Sequence, residues 1–217
     1  MKLGILGGTF NPIHLAHLRI AEEVREACGL ERILFIPAAT PPHKSTAGNV
    51  PFAQRLAMVQ AAIADNPHFE ASDLEARRGG KSYSVHTLEI LRRQRPGDEL
   101  HFIIGMDSFR DLASWKEYRR LFELTNLVVA ARPGVHRGDP RELLPVAIQD
   151  EFCYDCSAQA LTHRSGRSVI FLEETFLDIS STHIRTLVSR NRSVRYLVPE
   201  AVDRYIANHG LYRDMER

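Results

Sequence analysis

Short apolar runs and longer stretches of helical spacing alternate along most of the chain. Each run of four to six apolar residues predicts a buried strand, and the runs lie at 2–6, 32–37, 100–104, 126–130 and 169–172. Between them, apolar residues recur every three or four positions and predict helices, notably at 14–27, 52–65, 82–91 and 199–209. Strands that alternate with helices predict an α/β fold, with a doubly wound, mostly parallel sheet covered by helices on both faces.

The remaining segments have weaker patterns. Residues 69–74 predict a short strand, and the basic stretch 77–81 predicts a solvated loop. Between 135 and 168 we expect a loop excursion, with helix only at 140–149, and the chain then ends in C-terminal helices over 181–217. Since neither a linker nor an internal repeat divides the sequence, we expect one domain over 1–217.

The first strand runs into a glycine turn and then a helix, which is the shape of a phosphate-binding unit. Gly7 and Gly8 let the backbone pass close to a ligand, and Thr9 and Phe10 follow them before the helix begins. The turn lacks the Lys-Ser or Lys-Thr of a P-loop. Its glycine spacing does not fit a dinucleotide fingerprint either.

Two histidines and a second helix start supply polar groups. His14 and His17 are three residues apart and share a helix face that points towards the turn. This spacing alone is also typical of surface or capping histidines, and it lacks the i, i+4 pair and third ligand of a zinc site. Ser181, Thr182 and Arg185 offer hydroxyls and a guanidinium at the start of another helix, where ordinary capping is the alternative.

Three further residues are candidates for ligand binding because of their positions in the sequence. Lys44 lies in a proline-rich loop after the second strand and suits a phosphate, although a lone loop lysine is usually solvated. Asp107 follows the strand 100–104 directly, at a binding edge of open α/β sheets, or it simply caps a helix. Trp115 stands in a polar run, which favours a stacking surface.

Composition and charge exclude several classes of protein. The 217 residues carry 28 basic and 27 acidic side chains, so the net charge of +1 does not indicate a nucleic-acid-binding protein. No apolar run is long enough to cross a bilayer and no signal peptide is evident, so we expect no membrane association and a cytoplasmic location. Cys153 and Cys156 form a C-x-x-C without a second ligand pair, which favours two reduced loop thiols over a metal or redox site.

The motif GGTFNPIHLAH at 7–17 resembles the signature of nucleotidyltransferases built on a histidine-x-glycine-histidine box, and most closely that of the bacterial nicotinate-mononucleotide adenylyltransferase family. Ala16 stands where the box usually has glycine. Asn11 stands where many members have aspartate, which would remove one negative charge beside the phosphates. Other family segments follow in order: PPHK at 41–44, SYSVHTL at 82–88, GMDS at 105–108, RPG at 132–134 and ISSTHIR at 179–185.

The resemblance implies a Rossmann-like fold and assigns roles to particular residues. The catalytic set would be His14, His17, Lys44 and Arg185. The ATP-binding set would be Gly7, Gly8, Thr9, Phe10, His14, His17, Gly105, Asp107, Arg132, Ser181, Thr182 and Arg185. The acceptor-binding set would be Lys44, Tyr83, Thr87, Asp107 and Trp115. No metal ligand of the protein is expected.

The implied reaction moves AMP from ATP to nicotinate mononucleotide and yields deamido-NAD and pyrophosphate, as a step of NAD biosynthesis. The expected partners are these two substrates, with Mg²⁺ on the triphosphate. An acceptor phosphate is already mostly ionised at neutral pH, so no general base is required. In agreement with this mechanism, the sequence shows neither a serine–histidine–acid arrangement nor paired catalytic carboxylates in a convincing context. The alternatives are a pantetheine-phosphate adenylyltransferase and a nucleotide-binding sensor without turnover, and the oligomeric state stays open.

Overall fold

The computed structural model describes residues 1–41, 50–131, 140–155, 160–173, 175 and 177–213. Eight strands occur in these ranges: β1 (Lys2–Gly8), β2 (Arg32–Pro37), β3 (Phe69–Ala71), β4 (Glu99–Gly105), β5 (Asn126–Ala131), β6 (Phe152–Asp155), β7 (Ala160–His163) and β8 (Ser168–Glu173). The helices described there are α1 (Leu15–Cys28), α2 (Phe52–Ile63), α3 (Leu74–Arg78), α4 (Ser84–Gln94), α5 (Met106–Arg110), α6 (Tyr118–Leu124), α7 (Ser181–Ser189) and α8 (Glu200–Asn208). Short 3₁₀ turns span Leu112–Ser114, Pro140–Leu143 and Val146–Glu151.

The strands form one mostly parallel sheet in the order β3-β2-β1-β4-β5-β8-β7-β6. β1 pairs in parallel with β4, β4 with β5, and β5 with β8. The strand order reverses direction between β1 and β4, which makes their carboxyl ends a topological switch point. This topology confirms the expected Rossmann-like α/β fold.

The interior residues of the central strands are buried on both faces because helices and loops cover parallel sheets on both sides. Residues 3–6 of β1, 33–37 of β2 and 100–104 of β4 are buried without alternation. Of the described helices, none combines the length and apolar character needed to span a membrane.

Internal contacts divide the chain into two compact units, each made of segments that are distant in sequence. The first unit comprises residues 1–7, 20–33 and 83–176. The second comprises residues 8–19, 34–82 and 177–217. The expectation of a single domain over the whole chain stays a prediction.

The region 135–168 contains strand structure that the sequence analysis did not anticipate. β6 and β7 pair antiparallel, with Phe152 opposite His163, and β7 continues antiparallel to β8. The expected loop over this region is therefore wrong where residues are described. Only 140–143 and 146–151 have helical turns, and these are 3₁₀ rather than α.

A smaller correction concerns the basic stretch that follows β3. The strand ends at Ala71, and Leu74 begins α3 as a buried residue rather than ending the strand. Arg77 and Arg78 are helical, so only Gly79 and the residues after it belong to the predicted loop.

Candidate active site

The glycine turn begins inside the strand rather than after it, because Gly7 and Gly8 are the last two residues of β1. A Cβ at Gly8 would lie 3.1 Å from the ring of Phe10, so a larger side chain there would push against that ring. Phe10 itself is 2% exposed and has a positive φ of 47°, a conformation unusual for a residue with a side chain. Its ring therefore packs inside the second unit, and its contribution to a ligand site is support rather than contact.

His14 and His17 stack on one another at the start of α1. Their ring centroids are 3.7 Å apart, and the ring of Phe10 meets His17 edge-on at 5.1 Å. His14 precedes the helix, and its carbonyl accepts from the backbone N–H of His17. The backbone N–H of His14 donates in turn to Nδ1 of His17 over 3.2 Å. Because Nδ1 accepts, the proton of a neutral His17 ring lies on Nε2.

Burial determines the charge of His14. The residue is 5% exposed, and desolvation lowers the pKa of its imidazole from 6.5 to about 4. His14 is therefore neutral at pH 7. Its Nδ1 is a buried polar atom for which the described residues supply no hydrogen-bond partner.

The start of α7 is held against the glycine turn by two hydrogen bonds. The hydroxyl of Ser181 donates to the carbonyl of Pro12 over 2.8 Å, and the guanidinium of Arg185 donates to the carbonyl of Asn11 over 2.8 Å. Arg185 also donates to the hydroxyl of Thr182 over 3.2 Å, while its buried Nε has no partner among the described residues. Ser180 caps the helix by accepting from the N–H of His183.

Asn11 has a different role from the one inferred from the sequence. Its side chain is 2% exposed, and its Oδ1 accepts a hydrogen bond of 2.8 Å from the hydroxyl of Tyr212. Burial raises the pKa of this tyrosine, so the hydroxyl remains a donor at neutral pH. The expected effect of Asn11 on charge beside the phosphates is thus replaced by a buried contact with the C-terminal segment.

Arg55 is a buried cation that the sequence analysis missed. The structure buries Arg55 in α2 together with Val59 and Ile63. Arg55 is 3% exposed and donates to the backbone carbonyls of three residues, Thr9, Ala38 and Val50. An arginine within a helical pattern normally indicates the solvent side, so no sequence signal marked this one.

Four of the five residues predicted to bind the acceptor, Tyr83, Thr87, Asp107 and Trp115, lie in the first unit. Trp115 is half-buried and meets Phe102 edge-on, with 6.3 Å between the ring centroids. The ammonium of Lys116 lies 5.0 Å from the ring centre of Tyr83. Thr87 is 4% exposed, and its hydroxyl is 3.4 Å from the carbonyl of Tyr83 one turn earlier.

Asp107 and Gly105 follow β4 at the switch point. Gly105 ends the strand as an exposed residue, and Asp107 is exposed in the first turn of α5. This position at the carboxyl end of a central parallel strand agrees with the expected placement of both residues.

Three predicted features fall outside the described residues: Lys44, Arg132 and the second cysteine of the C-x-x-C, Cys156. The first cysteine of that motif, Cys153, is exposed in β6. Within the described ranges, no group of three or more His, Cys, Asp or Glu side chains could hold a metal ion.

A contact among a serine, a histidine and an acid does exist in the first unit. Nδ1 of the buried His163 is 2.9 Å from the Ser165 hydroxyl, and Nε2 is 3.1 Å from Glu151. The Ser165 hydroxyl donates to the carbonyl of Phe122 over 2.7 Å, so its proton does not face the imidazole. The arrangement is therefore a clamp on the β6–β7 hairpin and not an activated nucleophile.

Comparisons with known proteins find a family model and curated relatives that match most or all of the chain. The family model described as Cytidylyltransferase-like matches residues 5–187. A protein of Syntrophotalea carbinolica named "Probable nicotinate-nucleotide adenylyltransferase" is 71% identical over 217 residues, covering both chains fully. A protein of Geotalea daltonii with the same name is 56% identical over 214 residues, 99% of each chain.

A solved structure extends the agreement to the fold. The nicotinic acid mononucleotide adenylyltransferase of Plasmodium falciparum, solved in complex with NaAD, superposes with a TM-score of 0.74 at 18% identity, over 97% of each chain. At this identity the likeness concerns the fold, whereas the bacterial relatives are similar over the whole sequence. The chain therefore belongs to the nicotinate-nucleotide adenylyltransferase family, enzymes with a cytidylyltransferase-like domain.

Proposed function

We propose that the residues gathered at the glycine turn bind ATP and that the chain transfers its adenylyl group to nicotinate mononucleotide, the reaction for which its family is named. The main support for this proposal is that two segments distant in sequence are hydrogen-bonded to each other. Ser181 and Arg185 bind the carbonyls of Pro12 and Asn11, so the second motif is fixed beside the two histidines.

The chemistry requires positioning and charge stabilisation more than proton transfer. The second pKa of a phosphate is about 6, so the acceptor phosphate is already an adequate nucleophile at neutral pH. It attacks the α-phosphorus of ATP, the bond from that phosphorus to the bridging oxygen breaks, and pyrophosphate leaves. The site must hold two anionic reactants in line and offer donors to the oxygens on which charge builds.

His17 suits the role of a neutral donor. Its Nδ1 is engaged by a backbone N–H, so Nε2 carries the proton and offers an N–H to a phosphate oxygen. His14 acts as a neutral ring that fixes His17 by stacking and through its backbone. The positive charge of the proposed site then comes from Arg185, Lys44 and Arg132.

The proposed ATP contacts otherwise follow the family motifs. The backbone of Gly7, Gly8 and Thr9 lies close to the phosphates in this proposal, and the start of α7 supplies Ser181 and Thr182. Gly105 and Asp107 are assigned to the ribose.

Divalent metal accompanies ATP in nucleotidyltransferases generally, and we assign Mg²⁺ as part of the substrate MgATP. The described residues offer no three-ligand cluster of their own, which fits an ion carried by phosphate oxygens. Bound there, the ion spreads negative charge during transfer.

The roles of the acceptor-binding residues in the first unit are part of this proposal. Trp115 presents a half-buried ring on which a pyridine could stack, and Tyr83 and Thr87 lie at the start of α4. A carboxylate accepts hydrogen bonds only, whereas an amide turns N–H groups towards donors. We therefore expect nicotinate mononucleotide to be preferred over its nicotinamide form.

Pyrophosphate release with MgATP and a panel of acceptors tests these assignments. Nicotinate mononucleotide should give the highest kcat/KM, and Trp115→Ala should raise KM for this acceptor while leaving ATP binding unchanged. Equal kcat/KM for the acid and amide forms would contradict the acceptor assignment. Turnover with 4′-phosphopantetheine would instead support the pantetheine-phosphate alternative, and no turnover with any acceptor would support the sensor. A cytoplasmic location stays a prediction.

A further inference from the structure

Arg55 joins three separate stretches of backbone through one buried guanidinium. Its Nη1 donates to the carbonyl of Thr9 over 2.6 Å, its Nη2 to that of Ala38 over 2.8 Å, and its Nε to that of Val50 over 3.2 Å. The side chain is 3% exposed. All of these residues belong to the second unit.

Two of the carbonyls that Arg55 binds lie in or next to the proposed phosphate-binding turn. Thr9 is in the glycine turn, one residue before Phe10, whose ring contacts His17. Ala38 is the first residue after β2, and its N–H donates to the carbonyl of Gly8 over 2.8 Å. One cation therefore ties the glycine turn to the exit of the neighbouring strand.

The segment that leaves β2 is held at each of its first three residues. Ala38 is bound by Arg55, and the N–H of Ala39 faces a carboxylate oxygen of Glu75 over 3.4 Å. Thr40 is bound at both backbone groups: its N–H donates to the hydroxyl of Ser82 over 3.0 Å, and its carbonyl accepts from the N–H of Ser82 over 2.9 Å. In sequence this fixed segment leads to Lys44 four residues later.

Burial and charge make the arginine difficult to replace. Desolvation lowers the pKa of Arg55, whereas Tyr212 and Glu75 raise it, and a guanidinium keeps its charge throughout the physiological range. A lysine would keep a positive charge but cannot reach three carbonyls with a planar fork. Methionine fills a similar volume and would leave carbonyls without their donor.

We propose that Arg55 is a positioning residue for adenylyl transfer: it holds the glycine turn and residues 38–40, at the end of β2, at a fixed separation. The inference rests on the proposed assignment of His17, whose ring contacts Phe10 of that turn, to the phosphates of ATP. Misplacement of reacting groups by about 1 Å lowers rates on the order of 10²-fold. The predicted loss is therefore in kcat rather than in stability alone.

The test compares Arg55→Lys and Arg55→Met with Val59→Ala, a control in the same helix. Val59 is fully buried, and its truncation lowers stability by removing apolar volume without removing a hydrogen-bond donor. Each protein is assayed for pyrophosphate release well below its own unfolding midpoint, and KM for ATP is measured beside kcat. Both Arg55 variants should lose about 10–100-fold in kcat, whereas Val59→Ala should keep the wild-type kcat.

A further variant keeps the inference testable if both Arg55 variants fail to fold. Ser82→Ala removes a half-buried hydroxyl that binds Thr40 in the same segment, and it leaves the core intact. It should lower kcat several-fold at unchanged unfolding midpoint. Wild-type kcat in the folded Arg55 variants, or in Ser82→Ala when those do not fold, would overturn the proposal. Failure of the wild-type protein to release pyrophosphate would refute the proposed function instead.

Discussion

Among single residues, His17 has the best defined donor in the proposed site. Its ring is fixed on three sides, by stacking on His14, by the edge of Phe10 and by the backbone N–H at Nδ1. We expect His17→Ala to lower kcat about 10²–10³-fold, because the enzyme would lose one preorganised donor to the transition state. Pre-steady-state and steady-state pyrophosphate release would measure this, with ATP binding followed separately by calorimetry.

His183→Ala is the matched control for this prediction. His183 lies in the first turn of α7, beside Thr182, but its side chain is exposed, and its backbone N–H donates to the hydroxyl of Ser180. A kcat within about twofold of wild type is expected for the control. If His17→Ala behaved like the control, the histidine pair would be a capping feature only.

His14 predicts how stability depends on pH. Its pKa is about 4 in the folded protein and 6.5 in a model compound, so below pH 6.5 the unfolded chain takes up a proton that the folded chain does not. Stability should therefore fall as the pH is lowered from about 6.5 to about 4, with no contribution from this group above that range. The shift corresponds to about 3 kcal/mol at pH 4.

Denaturant unfolding of the wild type and of His14→Asn at pH 7 and pH 4 would measure this effect. The variant has no imidazole at this position, so its free energy of unfolding should fall by about 3 kcal/mol less over the same interval. Parallel pH profiles for the two proteins would show that His14 does not carry a depressed pKa.

At the scale of elements, the β6–β7 hairpin depends on Glu151. Its carboxylate contacts Nε2 of His163 at 3.1 Å, Arg119 at 3.0 Å and Arg164 at 3.2 Å. The hydrogen bond from His163, with the two arginines, lowers the pKa of Glu151. The stabilisation is thus present above the ordinary carboxyl pKa and is lost as the pH falls through the lower folded value.

Glu151→Gln should cost about 1–3 kcal/mol of stability at pH 7, because a buried histidine loses a charged partner. The neighbouring Asp150 is exposed, so Asp150→Asn is a control that should change stability little. Thermal unfolding would show the difference, while pyrophosphate release should be unaffected because the clamp is not part of the proposed site. Equal stability of the two variants would mean that the clamp contributes nothing.

The sequence predicted the strands that are buried on both faces, and it missed β6 and β7. β1, β2, β4, β5 and β8 contain continuous apolar runs because a parallel sheet is covered on both sides. β6 and β7 are four residues each, and β6 is partly exposed, so their apolar residues formed no run long enough to distinguish strand from loop. The antiparallel extension of the sheet was therefore read as a loop.

The candidate site divides in the same way. Its motif residues could be assigned because glycines, histidines and a serine-rich helix start have distinctive chemistry at fixed spacing. Arg55 and Tyr212 could not be assigned, because their roles come from partners distant in the chain: Thr9 for the arginine and Asn11 for the tyrosine. Distances of this kind are set by the fold, and no local pattern encodes them.

For the chain as a whole, the C-terminal segment returns to the first turn. The carbonyl of Leu197 accepts from the N–H of Leu15 over 3.0 Å, and the carbonyl of Pro12 accepts from Ser181. Tyr212 completes this series through Asn11. The proposed phosphate-binding turn is thus stabilised by residues more than 160 positions away in sequence, so its geometry depends on the presence of the segment after 177.

Tyr212→Phe tests that dependence with the loss of one oxygen atom. The hydroxyl donates over 2.8 Å to Oδ1 of Asn11, a residue 201 positions away, and both side chains are buried. Loss of this hydrogen bond should cost about 1–2 kcal/mol of stability. It should also lower kcat, because the carbonyl of the same asparagine anchors Arg185.

Tyr205→Phe is the control, since Tyr205 is half-buried and keeps its ring stacked on His209 without the hydroxyl. Chemical unfolding should show lower stability for Tyr212→Phe than for Tyr205→Phe, and pyrophosphate release should show lower kcat. If they are equally stable and equally active, the C-terminal tyrosine does not support the turn.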